Sequence, residues 1–229
     1  MLDCGVLSSS PILAVFASGQ GTNFEALAAA AEAEELGGEL RALFSDRADA
    51  PAIERARRRG IETVTPPVGR FRTRLEDESP WLTALRERRV EVILLAGFMR
   101  RLHEILLDAY PDRVLNIHPS LLPRFHGLDA IGQAWRHGAL ATGCTVHLVD
   151  EGLDSGPILA QASVGVREED DLASLETRIH RVEHLLYPRT VRRYLTEPWR
   201  REGARIAWGE GAGFRSLAPV KWPVRGVAN

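Results

Sequence analysis

Apolar positions along the chain follow two alternating rhythms. Ile12–Ala17 is a continuous apolar run and Leu40–Ser45 a second, shorter one, and with Glu62–Val64, Glu91–Ala96 and Arg113–Ile117 they read as strands. The first ends at Ser18-Gly19, as expected of a strand buried on both faces. Between them, Asn23–Glu35, Ala50–Arg59, a helix containing Thr83–Arg89, Leu102–Ala109 and Ala130–His137 read as helical. Leu36-Gly37-Gly38 stops the first, and Gly60 stops the second after a basic last turn that suits the helix dipole. Strand–helix alternation over about 115 residues predicts a Rossmann-like α/β fold, a mostly parallel sheet with helices on both faces and right-handed crossovers. The rhythm then changes. Cys144–Val149 alternates, Asp154-Ser155-Gly156-Pro157 is a turn signal, and Ile158–Val166 follows as an antiparallel C-terminal addition. Leu172–Leu195 has apolar positions near 3.6 spacing and predicts a long helix interrupted at Pro188. Beyond Pro198 the chain is rich in Arg, Gly and Trp and predicts only short strands. The expected organisation is one domain over residues 1–196 and a tail over 197–229, the domain divided into halves at 12–110 and 111–196.

Composition narrows the class. With 229 residues, the chain buries roughly 70% of its unfolded surface without help from a disulfide or metal. The 29 basic and 31 acidic residues leave a net charge of −2, which argues against a protein that coats nucleic acid. Cys4 and Cys144 cannot form a disulfide framework, so a reducing, cytoplasmic compartment is expected. The longest apolar run, Val92–Met99, is far short of the roughly 20 residues that span a bilayer. Met1–Val6 lacks the basic start of a signal peptide. Small-molecule chemistry without nucleic acid or membrane partners remains, with monomer and homodimer both open.

Ligands of such sheets sit beyond the carboxyl ends of the strands, here after Ala17, Ala96 and Ile117. Ser18-Gly19-Gln20-Gly21-Thr22-Asn23 leads from a strand into a helix, where free N–H groups and the dipole favour an anion. Phe24 stands where the dinucleotide fingerprint wants its third glycine, which weakens a nicotinamide reading that Asp46 would otherwise support. A tight turn with no ligand is the bland alternative. At Asn116-Ile117-His118-Pro119, period-2 geometry puts an amide and an imidazole on one face of a strand end. Asn can donate to a developing oxyanion, and His moves protons near neutral pH. A His merely capping the sheet is the alternative. Asp154, in a glycine-bounded loop, is the candidate to orient the ring, although an Asp in a turn is also ordinary turn chemistry. The seven histidines form no zinc pattern and no Gly-x-Ser-x-Gly occurs. Arg55, Arg57, Arg58 and Arg59 read as a solvated helix face.

Four motifs in this order, Ser18–Asn23, Leu95–Arg100, Asn116–Pro123 and Asp154-x-Gly156-Pro157-Ile158, resemble the glycinamide ribonucleotide formyltransferases of the folate-dependent formyltransferase superfamily. The resemblance covers about Ile12 to Thr196. It implies the formyltransferase fold, with 10-formyltetrahydrofolate as formyl-donating co-substrate and no metal. It implies transfer of the formyl group to the amine of glycinamide ribonucleotide in de novo purine biosynthesis, through a tetrahedral intermediate. Residues 12–110 would hold the ribonucleotide and its phosphate, and 111–196 would carry catalysis and the folate. His118 would be the general acid, Asn116 would hold the formyl oxygen, and Asp154 would tune His118 and order a proton-relaying water. Gly21, Thr22, Asn23 and Glu183 would bind the ribonucleotide. Arg74, Met99, Arg100, Arg101, Leu102, Asn116, Asp150, Glu151, Gly152, Leu153 and Asp154 would line the folate pocket. Gln20, Asp129, Ile131 and His180 depart from residues common in the family, which bears on the substrate contact of His180. Related readings are hydrolysis of formyltetrahydrofolate and formyl transfer to initiator methionyl-tRNA. A nicotinamide dehydrogenase and a non-catalytic binding protein are readings from other classes.

Overall fold

A computed structural model describes residues 10–209 and 220–221. The expectations about Met1–Val6 and Cys4, and about most of the chain after 209, lie outside these residues. Strand β1 (Ile12–Phe16) runs through Gly21 into α1 (Thr22–Glu32), then come β2 (Glu39–Phe44), α2 (Pro51–Arg58) and β3 (Glu62–Val64). The second parallel series is α3 (Ser79–Glu87), β4 (Val92–Leu95), α4 (Glu104–Ala109), β5 (Val114–His118) and α5 (Ala130–Arg136). Strands β6 (Ala141–Leu148) and β7 (Ile158–Gly165) lead to the long helix α6 (Leu172–Thr196), and β8 (Trp199–Glu202), β9 (Arg205–Trp208) and β10 (Val220–Lys221) follow.

The sheet order is β10-β7-β6-β5-β4-β1-β2-β3. Strands β3, β2, β1, β4 and β5 are parallel, β6 and β7 are antiparallel additions, and β10 pairs parallel to β7 at the edge. From β1 the chain steps to β2 on one side and later returns to β4 on the other. The crevice beyond the ends of β1 and β4 is therefore the switch point where such sheets bind ligands. Alternating residues sort to two cores. Leu13 and Val15 join the layer formed with Phe24, Leu27 and Tyr187, while Ala14 and Phe16 face Trp81, Leu85 and Leu106. On that second face Phe16, Phe44, Trp81 and Phe98 form one aromatic cluster with centroid separations of 5.1 to 6.0 Å.

Of the differences from expectation, two have clear physical causes. Helix α6 continues through Pro188 in one run of 25 residues. Pro188 is buried, and the neighbouring Tyr187 hydroxyl meets the carbonyl oxygens of both Leu95 and Leu115 at 3.0 Å. Packing and this anchor outweigh the roughly 3 kcal/mol that an interior proline costs. Helix α4 starts at Glu104 rather than Leu102, because the buried Glu78 carboxylate accepts from the backbone N–H groups of His103 and Leu106 and fixes the first turn there. After Pro198, β8 and β9 form a separate antiparallel hairpin, seated by Trp199 Nε1 donating to the Tyr194 carbonyl and by Arg193 over the Trp208 ring. Among the described residues, no helix is long and apolar enough to cross a membrane.

Candidate active site

Beyond the carboxyl ends of β1, β4 and β5 lies a cavity of about 380 Å³. Asn116 and His118 alternate on β5 and both line it. Asp154 reaches the same wall from the loop after β6, with its backbone in the left-handed region at φ 52°. Gly156 lets that loop approach closely, since a Cβ there would stand 1.9 Å from the Leu148 carbonyl oxygen. Asp154 Oδ2 accepts from the Gly127 N–H at 2.8 Å and lies 3.5 Å from His118 Nδ1. The other ring nitrogen of His118, Nε2, is 2.8 Å from the Phe125 carbonyl oxygen. His118 is 5% exposed, so its ring sits in a largely dry setting.

The site has a fourth member, His147, that motif reading passed over. In the antiparallel ladder His147 of β6 sits directly opposite Asn116. Its Nδ1 is 2.9 Å from the Leu148 carbonyl, its Nε2 is 3.1 Å from Asn116 Nδ2, and Asp154 Oδ1 is 3.8 Å away. Burial pushes its pKa below the ordinary imidazole value. A neutral ring that donates from Nδ1 to Leu148 leaves Nε2 as an acceptor. Asn116 then spends one Nδ2 hydrogen on His147 and keeps the other for the cavity. The signal existed only as strand alternation around residue 147, and pairing it with residue 116 requires the register.

At the opposite end, α1 begins without a side-chain cap, and Gly21 precedes it at φ 72°. A Cβ at Gly21 would lie 2.6 Å from the Ala52 Cβ of α2, so neither its conformation nor its space admits a side chain. Asn23 Nδ2 donates to Glu183 Oε2 at 2.8 Å, and His180 Nδ1 meets the same oxygen at 2.9 Å. Asn23 and Glu183 come together from residues 160 positions apart, and both line the cavity with His180. The hydrogen bond to Glu183 raises the pKa of His180 above its ordinary value, while burial lowers that of His184. Gly21 and Thr22 form the turn beside this end but are not part of the cavity wall.

Met99, Arg100, Arg101, Leu102, Asp150, Gly152 and Leu153 line the third side of the cavity. Arg74 and Glu151 do not line the wall. The Arg74 guanidinium lies 4.3 Å over the Phe71 ring and its backbone bridges to Arg101, whose Nη2 donates to the Glu151 carbonyl. The Arg100 head group is already committed, through Nε to Asp46 Oδ2 at 2.8 Å and through Nη1 to the carbonyls of Phe71 and Arg74. Asp46 is thereby tied to Arg100 and not presented to a ribose, which removes the one residue besides the glycine turn that favoured a nicotinamide site. Asp150 closes its own loop by accepting from Gly152 N and Ser155 Oγ.

A model of the formyl transferase family matches residues 12–191. The chain is 43% identical over 182 residues to phosphoribosylglycinamide formyltransferase of Bacillus subtilis (strain 168), covering 80% of this chain and 93% of that protein. The crystal structure of glycinamide ribonucleotide transformylase 1 from Symbiobacterium toebii superposes with a TM-score of 0.84 at 38% identity, covering 89% of this chain and 96% of that one. A formyltetrahydrofolate deformylase from Pseudomonas syringae pv. tomato, at 23% identity and a TM-score of 0.78 over 89% of this chain and 67% of that one, shares the fold. With the strand-end amide, imidazole and carboxylate gathered in one cavity and the family model spanning nearly the whole sheet, this chain belongs to the formyl transferase family.

Proposed function

We propose that the protein transfers the formyl group of 10-formyltetrahydrofolate to the amine of glycinamide ribonucleotide, a step of purine biosynthesis. The observation that carries this reading is one continuous cavity with Asn116, His118 and Asp154 on its wall and Asn23 and Glu183 at one end. In this reading the two halves share both substrates: 12–110 supplies the α1 turn and Asn23 for the ribonucleotide and the Met99–Leu102 rim of the folate side, and 111–196 supplies Asn116, His118 and Asp154 together with Glu183 and His180. The compartment that fits is the cytoplasm. The acceptor amine adds to the formyl carbon, and the carbonyl electron pair moves onto oxygen. The free Nδ2 hydrogen of Asn116 donates to that oxygen, a contact worth roughly 10²–10³ in rate. His118 gives its proton to the departing nitrogen as the old carbon–nitrogen bond breaks, a contribution of roughly 10²–10⁴. The acceptor nitrogen releases one proton, so the balance closes. Asp154 holds the ring and the Gly127 N–H together. Asn23, Glu183 and His180 position the ribonucleotide, whose phosphate suits the uncapped start of α1. Arg101, Met99 and Leu153 border the side open to the folate.

The test is loss of the formyl group from 10-formyltetrahydrofolate with and without glycinamide ribonucleotide, in the wild type and in His118→Ala. Loss that needs the ribonucleotide and disappears in the variant is the expected result. Equal loss without the ribonucleotide replaces the transferase reading with a hydrolase. No loss in either tube refutes both.

A further inference from the structure

Both ring nitrogens of His118 face oxygen atoms, and the two contacts differ in kind. Nε2 is 2.8 Å from the Phe125 carbonyl, a full hydrogen bond in which only the ring can donate. Nδ1 is 3.5 Å from Asp154 Oδ2, beyond the 2.7–2.9 Å usual for a charge-assisted pair. One proton is therefore committed to the main chain, and the other is not. The Phe125 carbonyl is held in an uncommon place. Phe125 lies at φ 56° and Gly127 at φ 74°, and for a bulky aromatic residue the left-handed region is costly. Such a backbone persists only where its surroundings over-determine it.

The surroundings are explicit. Gln133, on the first turn of α5, donates both Nε2 hydrogens to this loop, to the His126 carbonyl at 2.9 Å and the Leu128 carbonyl at 2.8 Å. These two carbonyls straddle Gly127, whose N–H holds Asp154 Oδ2. From the other side Ser120 Oγ donates to the Arg124 carbonyl at 2.6 Å. The segment between these ties carries the carbonyl that meets His118 and the N–H that meets Asp154.

We propose that Gln133 is a positioning residue for the transfer reaction: by fixing the His126 and Leu128 carbonyls it keeps the Phe125 carbonyl on Nε2 of His118, so that the proton of the reaction is exchanged at Nδ1. The inference rests on the transfer reaction proposed above. In the forward step the Nδ1–H bond breaks, the proton joins the departing nitrogen, and the neutral ring retains its hydrogen at Nε2. The proton released by the acceptor amine returns the ring to its starting state through Nδ1.

The experiment has two readings. Nitrogen-15 NMR of histidine-labelled wild-type protein, with His118 assigned by comparison with His118→Ala, locates the hydrogen on the neutral ring. The expected pattern is a protonated Nε2 and a bare Nδ1. In Gln133→Glu, which keeps the shape but removes both donors, kcat should fall about 10- to 100-fold, the scale of a roughly 1 Å misplacement. KM for both substrates should stay near its wild-type value, and the His118 pattern should become a mixture of tautomers. Gln133→Ala gives the same comparison without a new charge, and the wild-type spectrum decides the tautomer whether or not either variant folds. A wild-type ring with its hydrogen on Nδ1, an unchanged tautomer in the variants, or an unchanged kcat each overturns the proposal. Wild-type protein that shows no ribonucleotide-dependent transfer removes the reaction reading instead, and the spectrum of His118 still stands or falls by itself.

Discussion

Asn116→Ala separates what the amide does for the reaction from what it does for the fold. The substitution removes a side-chain donor that faces the cavity beside His118. If that donor meets the developing oxyanion, its loss costs about 10²–10³ in kcat, or about 2.7–4 kcal/mol of transition-state stabilisation. The same deletion strips His147 Nε2 of its 3.1 Å partner and leaves a buried acceptor alone. An unsatisfied buried group costs about 1–3 kcal/mol. For a chain of 229 residues that is a Tm lower by roughly 2–12 °C, at roughly 2–4 °C per kcal/mol. The assay is steady-state transfer with each substrate varied in turn, beside a thermal melt of the same preparation. The expected result is kcat and kcat/KM reduced together with KM for both substrates little changed, which marks an interaction made only in the transition state. A higher KM with an unchanged kcat would refute the reasoning, for Asn116 would then grip the ground state and the oxyanion role would fall.

Glu183→Gln should raise KM for the ribonucleotide by about 10-fold or more and leave that for the folate unchanged, because hydrogen bonds to a charged group are worth about 1.5–3 kcal/mol and Glu183 organises both Asn23 and His180; steady-state kinetics with each substrate varied reads it. His180 has a folded-state pKa raised above the ordinary imidazole value of about 6.5 by its bond to Glu183, so the stability it adds is fully present below that value and is lost as pH rises through the folded one. Urea denaturation should therefore show the wild type's advantage over His180→Gln shrinking as pH rises across this window, and an advantage that grows with pH would be the wrong sign. Gly21→Ala combines a left-handed backbone, about 1–2 kcal/mol for a residue with a Cβ, with overpacking against Ala52, about 1–3 kcal/mol. It should melt well below the wild type and bind the ribonucleotide more weakly; a Tm unchanged within error would show that α2 gives way at no cost.

The parallel half of the fold was legible because strands buried on both faces, such as β1 and β4, appear as bare apolar runs; the short edge strand Glu62–Val64 was also placed to the residue, from its position between a helix stop and a proline-rich loop. Asn116 and His118 stood out since polar residues at the end of such a run have no packing reason to be there. Asn23 and Glu183 could be named only through a motif resemblance, because nothing local links residues 160 apart. His147 escaped because its meaning is relational, set by a ladder register across β5 and β6 that hydrophobic alternation does not encode. Pro188 misled for a similar reason. Local rules price the lost N–H, whereas the buried contacts of Pro188 and Tyr187 that repay it are made with distant strands. Arg100 lines the cavity, yet its engagement by Asp46 and two loop carbonyls gives it a structural duty that no motif expresses.

The hydroxyl of Tyr187 touches the Leu95 carbonyl that ends β4 and the carbonyl of Leu115, the residue before Asn116 in β5. One of these strands leads into the Gly97–Leu102 loop and the other carries the Asn116 amide. A single buried phenol on α6 thus pins two neighbouring strands to one helix, and the platform beneath the reaction resists splaying when the loops above it change. Lineages built on such a platform are free to lengthen, shorten or rewrite their rims, and so to trade one acceptor for another, while the amide and imidazole stay in register. Variation in this architecture should accumulate in loop length and rim composition, and the tyrosine that receives no substrate should be among the last positions to drift.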